Sequence, residues 1–211
     1  NEVDPFRKRL LDVVFNAQAT GHDAEHIDDL LISTTAPSVI VMNPPFSAAN
    51  HVEGQFRQAT SQHVLSSLAR LAPGGRLLVI TGESFRPSTK CFQSTFQRIG
   101  QSSEVVFSAA IDGKVFSRHG TSIDTRLTVI DKRAMGEGET APVNIDGAYY
   151  PTCATTAALL SAVLTHCPER RSPPPCPTSS ALSVPTRPTR TNLHALRNAA
   201  RQETRALAEE R

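Results

Sequence analysis

A chain of 211 residues, 39% of them hydrophobic and 20% charged, holds enough apolar material for one ordinary domain and some additional length. Its formal charge of only +2 excludes a broad electrostatic footprint for nucleic acid, so any DNA or RNA contact must come from a local groove. No run reaches the roughly 18 apolar residues of a membrane span, and the opening residues lack the layout of a secretion signal. Cys91, Cys153, Cys167 and Cys176 show no C-x-x-C pair and no metal-ligand spacing with histidine, so they read as free thiols in a reducing cytoplasm, without a metal site.

Short β-rich runs alternate with helical stretches from Asn1 to about Arg133, the pattern of a sheet covered by helices. Asp4-Pro5 starts a helix over about residues 5 to 16, with Phe6, Leu10, Leu11 and Val14 at helical spacing. After the short segment Thr20 to Ala24 comes a second helix with Ile27, Leu30 and Leu31 on one side. Ser38-Val-Ile-Val-Met42 is too short for a helix and rich in β-branched residues, hence a buried parallel strand. Pro44-Pro45 cannot continue a central strand, so the chain turns there and presents Asn43 at the strand's carboxyl end, where open α/β sheets place their ligands.

An amphipathic helix over residues 53 to 71 ends at Pro73-Gly74-Gly75, and a strand from Arg76 to Thr81 follows. After a helix around residues 88 to 98, two strands, about Glu104 to Ile111 and Ile123 to Asp131, form an antiparallel pair. Their loop contains Arg118-His-Gly-Thr121, which reads as hairpin chemistry, with a phosphate contact as the alternative. Residues 134–167 form a poorly defined extension, 168–190 a linker crowded with Pro, Ser and Thr, and 191–211 a final helix capped by Thr191-Asn192.

The chemistry concentrates in Asn43-Pro44-Pro45-Phe46. A base amino group is a poor nucleophile because its lone pair is delocalised into the ring, and accepting hydrogen bonds from both N–H groups localises that pair. The Asn43 side-chain oxygen and the Pro44 carbonyl can take one N–H each, while Phe46 can stack on an extruded base. The alternative is a proline-rich strand exit with Phe46 as a core plug.

This tetrapeptide after a buried strand resembles motif IV of the amino methyltransferases. Together with Leu71-Ala-Pro-Gly-Gly-Arg-Leu77, Arg118-His-Gly-Thr121 and Asp124-Thr-Arg-Leu-Thr-Val-Ile-Asp131, it resembles the methylase-like region ahead of strawberry-notch-type helicase sequences in bacterial plasmids and phages, over about residues 1–133. The resemblance implies a partial Rossmann-like class I methyltransferase fold, α/β, with a mostly parallel sheet and an antiparallel last strand. It implies S-adenosyl-L-methionine as cofactor and methylation of a base amino group, adenine in DNA first, with guanine, RNA or protein glutamine as alternatives. Asn43, Pro44, Pro45 and Phe46 take the catalytic positions. Glu2 falls where the family's acidic residue holds the cofactor ribose, its alternative being an exposed terminal glutamate. Asp23 and the Ala24 backbone fall at the cofactor adenine, Asp23 alternatively capping the next helix; Asn43 also lies beside the cofactor. The family's first strand and glycine-rich turn have no counterpart ahead of Glu2. A reading from a different class is therefore a non-catalytic module that binds DNA or a helicase partner.

Overall fold

The computed structural model describes residues 1–15, 19–31, 36–45, 53–134 and 149–170. Phe46 and the final helix expected over 191–211 lie outside the described residues, as does all but the start of the 168–190 linker. The chain divides into two compact units, of which the described parts are residues 1–15, 19–23 and 28–31, and residues 24–27, 36–45, 53–134 and 149–170.

In the first unit, helix α1 (Pro5–Phe15) starts where the Asp4 carboxylate accepts from the Arg7 backbone N–H at 2.8 Å. Ahead of it, the Glu2 N–H donates to the Thr20 carbonyl at 2.9 Å, and the Asn1 side chain bonds Thr20 and both backbone groups of His22. Residues 1–2 and 20–22 are thereby laid side by side. The apolar positions of α1 are on the surface: Phe6, Leu10, Val13 and Val14 are each more than half exposed. A 3-10 turn, Ala24–His26, which belongs to the larger unit, leads into a short helix α2 (Ile27–Leu30).

The larger unit is built on a five-stranded sheet ordered β1-β2-β4-β3-β5, with β1 Val39–Met42, β2 Arg76–Gly82, β3 Ser103–Ile111, β4 Thr125–Lys132 and β5 Tyr149–Cys153. Four strands run one way and β4 runs against them, inserted between β2 and β3. The expected antiparallel pair is therefore present, but its second strand also closes onto β2 and lies inside the sheet. Helices α3 (Glu53–Arg70) and α4 (Gln93–Ser102) cover one face. There Val64, Leu68, Leu77, Val79, Phe85, Phe92, Phe96, Ile99 and Ile130 form the main core. Phe85 packs against Phe92 and Phe96 with ring centroids about 5 Å apart.

Chain reversal between α3 and β2 needs Gly74, whose φ of 73° is left-handed. Gly75 has no room for a side chain, since a Cβ there would lie 2.8 Å from the Ala72 carbonyl oxygen. At the same end of the sheet, Arg76 holds Asp131 through two parallel bonds of 2.6 and 2.8 Å.

The region read as a poorly defined extension contributes real elements. Strand β5 pairs with β3, and helix α5 (Thr156–His166) packs Leu159, Ala162 and Val163 against Phe107, Ala109, Val129 and Cys153 on the second face. The expected burial of β1 holds on one side only. Ile40 and Met42 join the main core, whereas Val39 and Val41 are 43% and 76% exposed on the other face.

Candidate functional site

Parallel strands bring their carboxyl ends to one edge, and the candidate residues of the larger unit collect there. Register places Met42 opposite Val79, so the chain leaves β1 at Asn43 while β2 continues to Gly82. Asn43 is exposed, Pro44 is buried and Pro45 is exposed. Beneath this turn the Thr60 hydroxyl of α3, itself 3% exposed, donates to the Pro45 carbonyl at 2.9 Å. The Asn43 carboxamide thus sits at the rim of the sheet, and a buried hydroxyl holds the backbone that carries it.

Helix α3 is tied to its surroundings on several sides. Ser61 Oγ accepts from Thr95 Oγ1 of α4 at 2.9 Å, and His63 Nε2 lies 3.9 Å from Glu25 Oε1 in the Ala24–His26 turn. Ala24 is therefore carried by a turn that packs on the helix supporting Pro45. At the other end of α3, Lys132 Nζ donates to the carbonyls of Leu68, Ala69 and Leu71, satisfying acceptors that the last helical turn leaves open.

Next along the same edge lies a polar cluster. Arg126, 4% exposed, donates from Nε to the Glu83 carbonyl at 3.0 Å, from Nη2 to Glu83 Oε1 at 3.3 Å and from Nη1 to Ser108 Oγ at 3.1 Å. Its guanidinium lies 5.5 Å from the Tyr149 ring centroid. Burial lowers the Arg126 pKa and Glu83 opposes the shift. Burial raises the Tyr149 phenol to about 12, partly offset by Arg126. All three nitrogens of Arg126 are engaged by protein acceptors, so the cluster braces the Glu83 loop against the sheet.

The Arg118-to-Thr121 segment includes the end of a 3-10 helix, Gly113–His119, which Gly120 terminates with a φ of 80°. Asp112 caps its start by accepting from the Lys114 N–H, and Asp124 accepts from the Gly113 N–H, both at 2.8 Å. These are loop-closing contacts. The side chains of Arg118 and His119 lie outside the described residues.

In the first unit, Glu2 and Asp23 border the paired stretches 1–2 and 20–22. Glu2 Oε1 accepts from the Asp4 N–H at 2.9 Å and from Arg7 Nη2 at 3.1 Å. The Asp4 N–H holds the Glu2 carboxyl below its ordinary pKa; burial opposes it, and Arg7 adds to the lowering. Both bonds go to one oxygen, which leaves Oε2 open toward a further donor.

Thr60, Glu83 and Arg126 were not distinguishable as site residues by motif. A threonine within a helix carries no signal of its own, whereas an arginine inside the apolar strand Thr-Arg-Leu-Thr-Val-Ile does, because a buried guanidinium requires acceptors. Among the described residues no group of three or more His, Cys, Asp or Glu could hold a metal, and no helix is long and apolar enough to cross a membrane.

No protein-family model and no curated protein matches the chain. Among solved structures, it is similar to a candidate class I S-adenosylmethionine-dependent methyltransferase from Listeria monocytogenes, at 12% identity over 64% of this chain and 44% of that one, with a TM-score of 0.44. It is also similar to a modification subunit of a candidate type I restriction enzyme from Vibrio vulnificus, at 15% identity over 63% and 32% of the two chains, with a TM-score of 0.48. A further likeness is to a candidate DNA modification methylase from Thermus thermophilus solved with S-adenosyl-L-methionine, at 15% identity over 56% of each chain, with a TM-score of 0.36. The chain spans less than half the length of the Listeria and Vibrio chains.

Proposed function

We propose that the chain serves S-adenosyl-L-methionine-dependent methylation of an exocyclic amino group on a nucleic-acid base, with adenine in DNA as the target. The observation that carries this reading is the placement of Asn43 at the carboxyl end of β1, exposed and followed by a buried Pro44. A carboxamide oxygen and the adjacent peptide carbonyl are two acceptors one residue apart, the set that a planar amine with two N–H donors requires. Accepting both protons returns electron density to the nitrogen, and positioning does the remaining work.

Glu2 suits the cofactor's ribose, since an ionised carboxylate with one anchored and one open oxygen can accept from a diol. Asp23 and the Ala24 backbone would receive the cofactor's adenine. When bound, the cofactor supplies a sulfonium-activated methyl group. Phe46 would stack on the target base.

Calorimetry of the chain with S-adenosyl-L-methionine, and transfer of labelled methyl groups to DNA followed by nucleoside analysis, test the reading together. Label in N6-methyladenine that disappears in Asn43→Ala supports it. DNA binding with neither cofactor binding nor transfer would replace it with a non-catalytic DNA-binding module, and transfer to RNA or to protein glutamine would change the substrate class.

A further inference from the structure

The turn after β1 has few torsions left to fix. The rings of Pro44 and Pro45 set φ at both residues. A residue that precedes proline is confined to extended conformations, which restricts ψ of Asn43 and of Pro44. After Asn43, the backbone torsion that neither ring restricts is ψ of Pro45, and it sets the orientation of the Pro45 carbonyl. That carbonyl is the one that Thr60 holds, Oγ1 to O at 2.9 Å.

Thr60 is fitted for this role by its own surroundings. It is 3% exposed, and it lies one turn from Val64, which is fully buried. The neighbouring Ser61–Thr95 bond and the His63–Glu25 contact fix α3 against α4 and the Ala24–His26 turn. A hydroxyl carried on so anchored a helix is a rigid post.

We infer that Thr60 is a positioning residue: its hydroxyl pins the Pro45 carbonyl, fixes ψ of Pro45 and so anchors the far end of the Asn43-Pro44-Pro45 turn, which carries the two acceptors that would receive the target amine. The consequence for catalysis rests on the function proposed above, whereas the locking of the turn does not. Thr60 is placed to act through the Pro45 carbonyl, not by touching the amine or the cofactor. The helix bearing it also supports the turn that carries Ala24.

Thr60→Val removes the donor at nearly constant volume, and Thr60→Ser retains it. With selectively labelled asparagine, the Asn43 backbone and carboxamide NMR signals are expected as one sharp set in the wild type and in Thr60→Ser. In Thr60→Val they should shift and broaden while amides of β2 and β4 keep their wild-type positions. In a methyl-transfer assay, Thr60→Val should lose about 10- to 100-fold in kcat, with KM for the cofactor changed less than about twofold. Thr60→Ser should recover most of the loss. Asn43 signals indifferent to Thr60→Val would overturn the inference whatever the activity. A wild-type chain that transfers no methyl group, but whose Asn43 signals respond as expected, would refute the proposed function and support the locking of the turn. If Thr60→Val does not fold, the smaller Thr60→Ala is read by the same signals and decides in the same way.

Discussion

Arg126 and Glu83 form an ion pair at the carboxyl edge of the sheet, Nη2 to Oε1 at 3.3 Å, with the arginine side chain 4% and the glutamate 33% exposed. The same guanidinium also bonds the Glu83 carbonyl and Ser108 Oγ, so it joins the loop after β2 to the interior of β3. Removing one partner of a buried pair costs about 3–5 kcal/mol, and the exposure of Glu83 lowers the expectation for Arg126→Met to about 2–3 kcal/mol. Glu83→Gln should cost less, about 1 kcal/mol, because the amide oxygen still accepts. Urea denaturation checks both values; equal losses would mean that the carboxylate charge is what the arginine needs.

Lys132 provides a second test of stability at the opposite end of α3. Its ammonium bonds the carbonyls of Leu68, Ala69 and Leu71 at 2.8, 3.2 and 2.6 Å, where a helix terminus carries partial negative charge. Burial lowers the Lys132 pKa, yet the three acceptors keep the charged form useful. Lys132→Met should destabilise by about 1–3 kcal/mol, since it keeps the aliphatic stem and strands the carbonyls. Thermal unfolding of the variant measures this, and an unchanged midpoint would show that water replaces the ammonium without loss.

The elements legible in the sequence are those whose local pattern decides the outcome. The Val39–Met42 run, the Arg76–Gly82 strand and the α3 helix ending before Gly74 follow from β-branching, apolar spacing and turn chemistry. The position of β4 between β2 and β3 does not, because strand neighbours depend on pairings distant in sequence. Pro151 inside Tyr-Tyr-Pro-Thr-Cys disguises β5, which proline can enter only at an edge. Helix α5 lacks a polar face, so its periodicity is faint, although Thr155 capping the Ala158 N–H at 3.0 Å was a usable signal. Asn43, Pro44 and Pro45 were readable as a strand exit. Thr60 was not, since its role exists only through the distance to Pro45.

Tyr149 links the same edge to pH. Burial raises its phenol from 10.0 to about 12. The unfolded chain therefore releases this proton near pH 10 while the native state holds it, so stability falls as pH rises from about 10 to about 12. The whole effect is at most about 3 kcal/mol. Absorbance near 295 nm should show a phenolate step with a midpoint near 12 that Tyr149→Phe removes; a midpoint at 10 would mean that the ring is open to water.

Glu2 makes the proposed cofactor contact insensitive to mild acid. The Asp4 N–H and Arg7 hold its carboxyl below the ordinary 4.5, so the carboxylate persists at pH 4.5 and is lost only as pH falls through the lowered value. Cofactor affinity measured by calorimetry should accordingly stay level down to about pH 5. Glu2→Gln should weaken binding about tenfold at neutral pH, because a carboxamide accepts from the ribose hydroxyls less strongly than a carboxylate. A Glu2→Gln variant with unchanged affinity would leave Glu2 as a partner of the Asp4 N–H and Arg7 alone.

Asn43 separates catalysis from folding more sharply than any other position. It is exposed, so Asn43→Ala should change stability by less than about 0.5 kcal/mol. If its oxygen accepts from the target amine, the same change should lower kcat by about 100-fold, the scale of losing one oriented group that acts in the transition state. Asn43→Asp keeps an acceptor oxygen at the same place and should lose less, about tenfold, because the added charge stabilises the bound sulfonium more than the transition state, in which that positive charge is spreading. Denaturation and single-turnover methyl transfer on the three proteins give both quantities. Equal activity in wild type and Asn43→Ala would remove the carboxamide from the chemistry and leave the strand exit as a structural turn.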